Sequence, residues 1–108
     1  MRPFPLRPKR LSLLPRSWEL LGRARANDNQ LFVAMTSPAR NPAASYQAWG
    51  HSTVISPWGE VVATTGHEPA MVYADVDLSE VEAPRQGIPV SFQKRNDLYS
   101  EVAWKGGA

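Results

Sequence analysis

The sequence predicts a single domain of the α/β (α+β) class, and three observations carry that prediction. A stretch with helical spacing at residues 17–28 runs directly into a five-residue apolar segment, 31–35. A hairpin signature follows, with Ser56-Pro57-Trp58-Gly59 between two short runs of β-forming residues. A strand-like alternation then meets a helix start at Asp77. At 108 residues the chain is long enough for one domain and too short for two.

In the first helix Ser17 can cap, Trp18 and Leu21 lie three apart, and Ala24 and Ala26 favour helix. Asn27, Asp28 and Asn29 supply the stop. Residues 31–35, Leu-Phe-Val-Ala-Met, are apolar on both alternate faces, which predicts a strand covered on both sides. Residues 37–48 read as loop because Pro38, Asn41, Pro42 and Ser45 break regular structure. The hairpin spans 51–55 and 60–64, with Pro57 presetting φ in the turn and Gly59 tolerating a positive φ. Residues 71–77 alternate, Val72, Ala74 and Val76 against Tyr73, Asp75 and Asp77, and predict a half-exposed strand. Asp77 with Glu80 three residues later resembles a capping box opening a second helix. Pro84 removes the bond to the Glu80 carbonyl, at about 3 kcal/mol if the helix continued straight. Gly87 weakens it by about another 1 kcal/mol, so this helix is expected short or kinked, with residues 88–90 extended beyond it.

Composition removes several function classes. Hydrophobic residues make up 43% and charged residues 20%, a globular balance. No apolar run approaches the roughly 18 residues of a membrane span. There is no cysteine, which excludes disulfides, thiolate metal sites and a cysteine nucleophile within these residues. His51 and His67, sixteen positions apart, predict no compact metal site, and no cofactor motif is present. The net charge of +2 conceals a basic head. Residues 1–25 hold seven of the twelve Lys and Arg and a single acid, Glu19. No aromatic-interleaved basic patch follows, so no nucleic-acid partner is expected. Residues 1–16 read as a disordered leader, interrupted by Pro3, Pro5, Pro8 and Pro15. They have the Arg-rich, acid-poor composition of a mitochondrial address, although the prolines oppose the amphipathic helix such peptides form.

No complete active site emerges. Gly50-His51-Ser52 has half of a nucleophile elbow, but Val54 stands where the closing glycine belongs and a strand begins where a helix should. His51 and Ser52, adjacent in a strand, point to opposite faces. Asp75 and Asp77 would lie about 6.6 Å apart on one strand face, a spacing compatible with acid–base work but more simply read as the solvated face of a half-buried strand. Glu80 and Glu82 suit the dipole at a helix start. Arg23, Arg25, Arg40 and Arg85 are each able to hold an anion, with surface solubility the ordinary alternative. Trp18, Trp49 and Trp58 stand where large rings cover a core or an interface.

Six motifs in series carry a resemblance. They are Trp18-Glu19-Leu20-Leu21 with Arg23-Ala24-Arg25-Ala26 and Asp28-Asn29-Gln30, Ser37-Pro38-Ala39-Arg40, Ala44-Ser45-Tyr46, Ala48-Trp49-Gly50-His51-Ser52-Thr53-Val54, Pro57-Trp58-Gly59-Glu60-Val61, and Gln86 and Ile88-Pro89-Val90 leading to Lys94-Arg95 and Asp97-Leu98-Tyr99. Between residues 18 and 99 the chain resembles the carbon–nitrogen hydrolase (nitrilase) superfamily, in its omega-amidase branch. The resemblance implies an α-β-β-α sandwich, here partial and incomplete on its N-terminal side. It implies a small-molecule substrate, a 2-oxo acid ω-amide such as 2-oxoglutaramate or 2-oxosuccinamate, hydrolysed to a 2-oxo dicarboxylic acid and ammonia without a cofactor. The family reaction uses a Glu–Lys–Cys triad, with cysteine attacking, glutamate shuttling the proton and lysine holding the oxyanion. All three precede the helix at Trp18 in the family, so no catalytic residue is carried over and the chain is expected to be inactive alone.

The resemblance also implies that residues 93–99 belong to a tail laid across a dimer partner. A non-catalytic module docking on full-length subunits is the alternative reading. Residues 17–101 are then the hydrolase portion and 102–108 a frayed tail. Residence in the cytoplasm is expected, with mitochondria as the alternative. Half a sandwich leaves an open strand edge and an exposed apolar patch of several hundred Å².

Overall fold

A computed structural model describes residues 14–99; the leader and the tail read from composition lie mostly outside them. The first helix, α1 (Leu14–Asn29), starts three residues before Ser17, which therefore lies inside the helix rather than capping it. Pro15 is tolerated because it falls in the first turn, where its missing N–H has no intrahelical acceptor to lose. Trp18, Gly22 and Ala26 recur at intervals of four and form the inner stripe, Gly22 and Ala26 being fully covered. A Cβ on Gly22 would meet the end of the Met35 side chain and stand 2.7 Å from Ile55 Cδ1, so those side-chain ends would have to shift to admit it.

α1 ends in a Schellman arrangement. Gln30 adopts φ 52°, its N–H donates to Asn27 O (3.3 Å), and Leu31 N–H donates to Ala26 O (3.2 Å). The left-handed position usually belongs to glycine. Here the cap holds glutamine, whose amide Nε2 donates to Pro84 O (2.9 Å) and Ile88 O (2.6 Å). The stop signal at residues 27–29 was therefore one residue early.

Three short antiparallel strands follow, β1 (Val33–Met35), β2 (Thr53–Ile55) and β3 (Val61–Thr64), in the order β1-β2-β3. Val33 faces Ile55 and Met35 faces Thr53, so these four side chains share the face under α1. Ala34, Val54 and Ala63 share the opposite face. The hairpin turn stands where the tetrad predicted it. Gly59 N–H donates to Ser56 O (2.9 Å), Ser56 N–H donates to Glu60 O (2.8 Å), and Gly59 has φ 80°. That is a three-residue loop ending in a left-handed glycine. A bulge shifts the β2–β3 register between Val54 and Ile55.

Two strand expectations need correction. Residues 31–35 are not covered on both sides: only 33–35 pair, Ala34 is exposed, and the rest of β1 is half-buried. Among the described residues β1 has one neighbouring strand, and α1 packs on one of its faces. Residues 71–77 form no strand, because no described segment offers them a ladder, and Met71 and Tyr73 are each 83% exposed. Alternation marks which side chains can face inward, whereas a strand also needs a hydrogen-bonded partner.

Asp77 caps a 3-10 turn, Leu78–Val81, accepting from Ser79 N–H at 2.9 Å, and α2 (Glu82–Gly87) continues from it. The helix is short, as Pro84 and Gly87 predict, and Pro84 is tolerated in its first turn. Residue 90 is not extended: it opens α3 (Val90–Gln93), which α4 (Asn96–Tyr99) follows. Among the described residues the buried apolar set is small, Ala26, Ala48 and Ile55 with the prolines Pro57 and Pro84. The fold is a partial α/β arrangement, one helix on one face of a three-stranded sheet.

Candidate functional site

The densest convergence of polar and aromatic side chains lies at the open end of the hairpin. Gly50 (φ 72°) and His51 (φ 56°) turn the chain sharply before β2. A Cβ at Gly50 would come 2.6 Å from Gly66 O, so glycine is required for this approach. His51 N–H donates to Gly66 O (2.9 Å), closing the hairpin beyond its last strand residues. The result brings the two histidines together around Trp49. His51 stacks on the indole at 4.2 Å and 14°, and His67 meets it edge-on at 5.1 Å and 71°. The imidazole centroids are 4.6 Å apart.

Both imidazole Nδ1 atoms lie on one acceptor, Trp49 O, at 3.0 and 3.1 Å. A carbonyl only accepts, so each Nδ1 carries its hydrogen in these bonds. Arg40 completes the cluster. Its backbone N–H donates to His67 O (2.8 Å), its Nε donates to Ala48 O (3.0 Å), and its guanidinium lies 5.5 Å from the Trp49 ring centroid. Arg40 Nη2 is buried without a protein partner among the described residues. Trp18 Nε1 donates to His51 O (2.7 Å) and Arg23 Nε donates to Gly59 O (2.7 Å), so α1 grips the hairpin at both ends.

The hairpin brings His51 and His67 together although they stand sixteen positions apart in sequence. Gly50-His51 and Gly66-His67 are two Gly-His dipeptides placed almost symmetrically about the turn at Trp58. That symmetry is the signal by which the hairpin register would have found the pair. Among the described residues no third histidine, cysteine, aspartate or glutamate joins them as a potential ligand group.

Ser52 is engaged structurally. Its Oγ donates to Ser37 O (3.2 Å) and accepts from Ser37 N–H (3.0 Å), while Ser37 Oγ accepts from Gly50 N–H (3.1 Å). The nearby imidazole is turned to Trp49 O. His51 precedes β2 instead of lying in it, so its separation from Ser52 comes from the left-handed turn, not from strand alternation. Asp75 and Asp77 do not share a strand face. Asp75 is exposed, and Asp77 turns inward on its own turn, accepting from Ser79 Oγ at 2.6 Å. The Ser79 hydroxyl and backbone N–H hold the Asp77 carboxyl below the usual carboxylate range. Glu80 and Glu82 occupy first turns, as expected.

Of the arginines, Arg25 pairs with Asp28 at 3.4 Å on the surface and Arg85 lies exposed in the last turn of α2. Trp58 is half-exposed beside Asn27, Gln30, Pro84 and Ile88. In the tail, Arg95 forms a two-pronged pair with Asp97, at 2.9 and 2.7 Å, which lowers the Asp97 pKa.

Comparison with known proteins accounts for a scaffold whose hydrogen bonds are spent on holding loops. A family model for carbon–nitrogen hydrolase matches residues 6–86. The chain belongs to the carbon–nitrogen hydrolase family. The match begins well before Trp18, inside the segment read from composition as a leader. The chain is 59% identical over 86 residues to omega-amidase NIT2 of Danio rerio and 60% identical over 86 residues to that of Homo sapiens. Each alignment covers 80% of this chain and 31% of the relative. These likenesses place it in the omega-amidase branch. Among solved structures it is similar to Saccharomyces cerevisiae Nit3, with TM-score 0.72 and 45% identity over 76% of this chain and 30% of that one. It is also similar to the C. elegans NitFhit protein, with TM-score 0.75 and 39% identity over 82% of this chain and 22% of that one. The chain thus spans about a third of the length of the curated omega-amidases it matches. No helix among the described residues is long and apolar enough to cross a membrane.

Proposed function

We propose that this chain supplies the C-terminal third of an omega-amidase and releases no ammonia by itself. One observation carries the reading: a chain 59–60% identical to omega-amidases holds no cysteine in its 108 residues. In the family reaction a cysteine thiolate attacks the amide carbon of a 2-oxo acid ω-amide, ammonia leaves, and water clears the thioester. Without a thiol the covalent path is absent, whatever the quality of the remaining site. None of the residues here is assigned a catalytic, cofactor-binding or metal-binding role.

What these residues contribute is support. Trp18 and Arg23 lock α1 onto the hairpin, and Arg40 with Ser37 and Ser52 pins the loop after β1. Residues 93–99 are assigned to subunit contact in a homodimer, a role that exposed Leu98 and Tyr99 support. Cytoplasmic residence follows from the same reading, with the Arg-rich N-terminal residues as the segment able to redirect the chain to mitochondria.

The test is a graft. Residues 17–99 replace the matching segment of human omega-amidase NIT2, and ammonia release from 2-oxoglutaramate is measured for the graft and for this chain alone. Turnover by the graft and none by the chain alone is the expected result. Turnover by the cysteine-free chain, or a well-folded but inactive graft, overturns the reading.

A further inference from the structure

We infer that the crevice between the hairpin tip and α2, walled by Trp58, is the docking site for a segment of this same chain, Pro3-Phe4-Pro5, with Arg2 set against Asp28. The inference is independent of the functional reading above. It concerns residues that lie ahead of the family match at 6–86 and outside the described residues.

The crevice forms where three elements meet. Gln30 Nε2, at the end of α1, donates to the carbonyls of Pro84 (2.9 Å) and Ile88 (2.6 Å) and so fixes α2 beside the turn that carries Trp58. The space left between them is about 180 Å³. Trp58, Pro84, Ile88 and Val90 supply its apolar lining, and Asn27 and Asp28 its polar rim. Trp58 is 50% exposed and Ile88 58%, so both present apolar surface to an incoming chain. A groove with an aromatic wall and a carboxylate beside it has the chemistry that binds proline-rich segments. Their prolines are already extended, lose little freedom on docking and lie flat on an indole, while a neighbouring basic residue meets the acid.

Residues 1–13 have the matching composition. Pro3, Pro5 and Pro8 bias the backbone to polyproline II, Arg2, Arg7, Lys9 and Arg10 are basic, and no acid is present. Reach selects among them. Asp28 lies fourteen residues along α1 from Leu14, about 21 Å at a helical rise of about 1.5 Å per residue. A polyproline II chain laid back along the helix from Leu14 covers about 3.1 Å per residue, so Pro8 reaches about 19 Å and Pro5 about 28 Å. Pro8 falls short of the crevice, whereas Pro3-Phe4-Pro5 arrives with enough slack to cross from the helix to Trp58. Phe4, between the two prolines, brings an apolar ring to Ile88 and Val90. Asp28 is engaged by Arg25 in a surface pair at 3.4 Å, with 64% of its side chain exposed. Such a pair is weak in water and leaves the carboxylate open to a second guanidinium. Residues 100–108 hold no proline and carry Glu101 beside Lys105, so they match the crevice less well.

The chain has no cysteine, so Leu6→Cys in the full chain takes a single nitroxide next to the docking residues. The readout is paramagnetic broadening of the four tryptophan indole N–H resonances and of the Ile88 and Val90 methyls. Trp58, Ile88 and Val90 are expected to broaden more than Trp18, although Trp18 is nearer to Leu6 in sequence. Asp28→Lys and, separately, Phe4→Gly should each cut that broadening by about twofold or more. Asp28 is exposed and Phe4 precedes the described residues, so circular dichroism should show α1 unchanged in both variants. Broadening strongest at Trp18, or spread evenly over the surface, overturns the inference. So does broadening at Trp58 that persists in both variants. A stronger effect from a nitroxide at Val102→Cys would give the crevice to the C-terminal residues instead. An effect passed from labelled to unlabelled chains in a mixture would give it to a second copy, and either result overturns the assignment.

Discussion

The N-terminal half of the described chain and the stretch from residue 68 onward are built on different principles. From α1 to β3 the molecule is held by non-local contacts. Gly22 lies against Ile55, Trp18 and Arg23 grip opposite ends of the hairpin, and the Trp49 carbonyl gathers two histidines. Beyond Glu68 the elements are short and mostly self-contained, each closed by bonds within a few residues, such as Asp77 with Ser79 and Arg95 with Asp97. Gln30, from the end of α1, reaches across and ties down the carbonyls of Pro84 and Ile88, beside Trp58. Burial largely follows the same division: Ala26, Ala48 and Ile55 are in the first region, whereas beyond residue 68 Pro84 is buried beneath Gln30 and Met71, Tyr73 and Phe92 are almost bare. A segment can keep its local turns without a core, but it cannot keep a strand.

The sharpest way to break this contrast is to hollow out the first region. Ile55→Ala removes the largest apolar side chain in the core and should cost about 2–5 kcal/mol. In urea titrations followed by circular dichroism, the α1 signal should fall at markedly lower denaturant, and an unchanged midpoint would contradict the packing described. Gly22→Val attacks the same contact by overfilling it, because its Cβ would lie 2.7 Å from Ile55 Cδ1. The expected loss is about 1–3 kcal/mol, read as a lower thermal midpoint.

Gln30→Ala tests the link between the two regions. It leaves two carbonyls without their side-chain donor, at about 1–2 kcal/mol. Amide hydrogen exchange should quicken in residues 82–88 while the β2–β3 hairpin keeps its protection. Equal acceleration in both would show that they form one cooperative unit.

The smallest effect concerns acid. The folded Asp77 carboxyl has its pKa lowered from the ordinary 3.8 by the Ser79 hydroxyl and N–H. A depressed folded pKa means that the cap's contribution is present above 3.8 and is lost as pH falls through the lower folded value. The Ser79 amide resonance should titrate in that acid window and cease to do so in Asp77→Ala, with the α1 resonances unmoved. Because Asp77 is on the surface, the change should remain local.

Much of this was legible in the residues themselves. The helix at residues 17–28, the hairpin turn at Pro57 and Gly59, the cap at Asp77 and the shortness of the helix holding Pro84 depend on local sterics and on hydrogen bonds within a few residues. The six motifs carried the family, which the match over residues 6–86 establishes. The Arg40–Trp49–His51–His67 cluster left only one trace in the sequence, the two Gly-His dipeptides about the turn, because its halves meet only when the hairpin register sets Gly66 against Gly50.

By itself, then, the sequence determined which segments can be helix, turn or strand, which family the chain belongs to, and that no thiol is available within it. Only the tertiary structure decided that Gln30 is the residue that ends α1, and that among the described segments β1 pairs with β2 alone and residues 71–77 pair with nothing. The physical reason is range. Propensity and capping act over three or four residues, whereas pairing and burial depend on what the rest of the fold brings alongside.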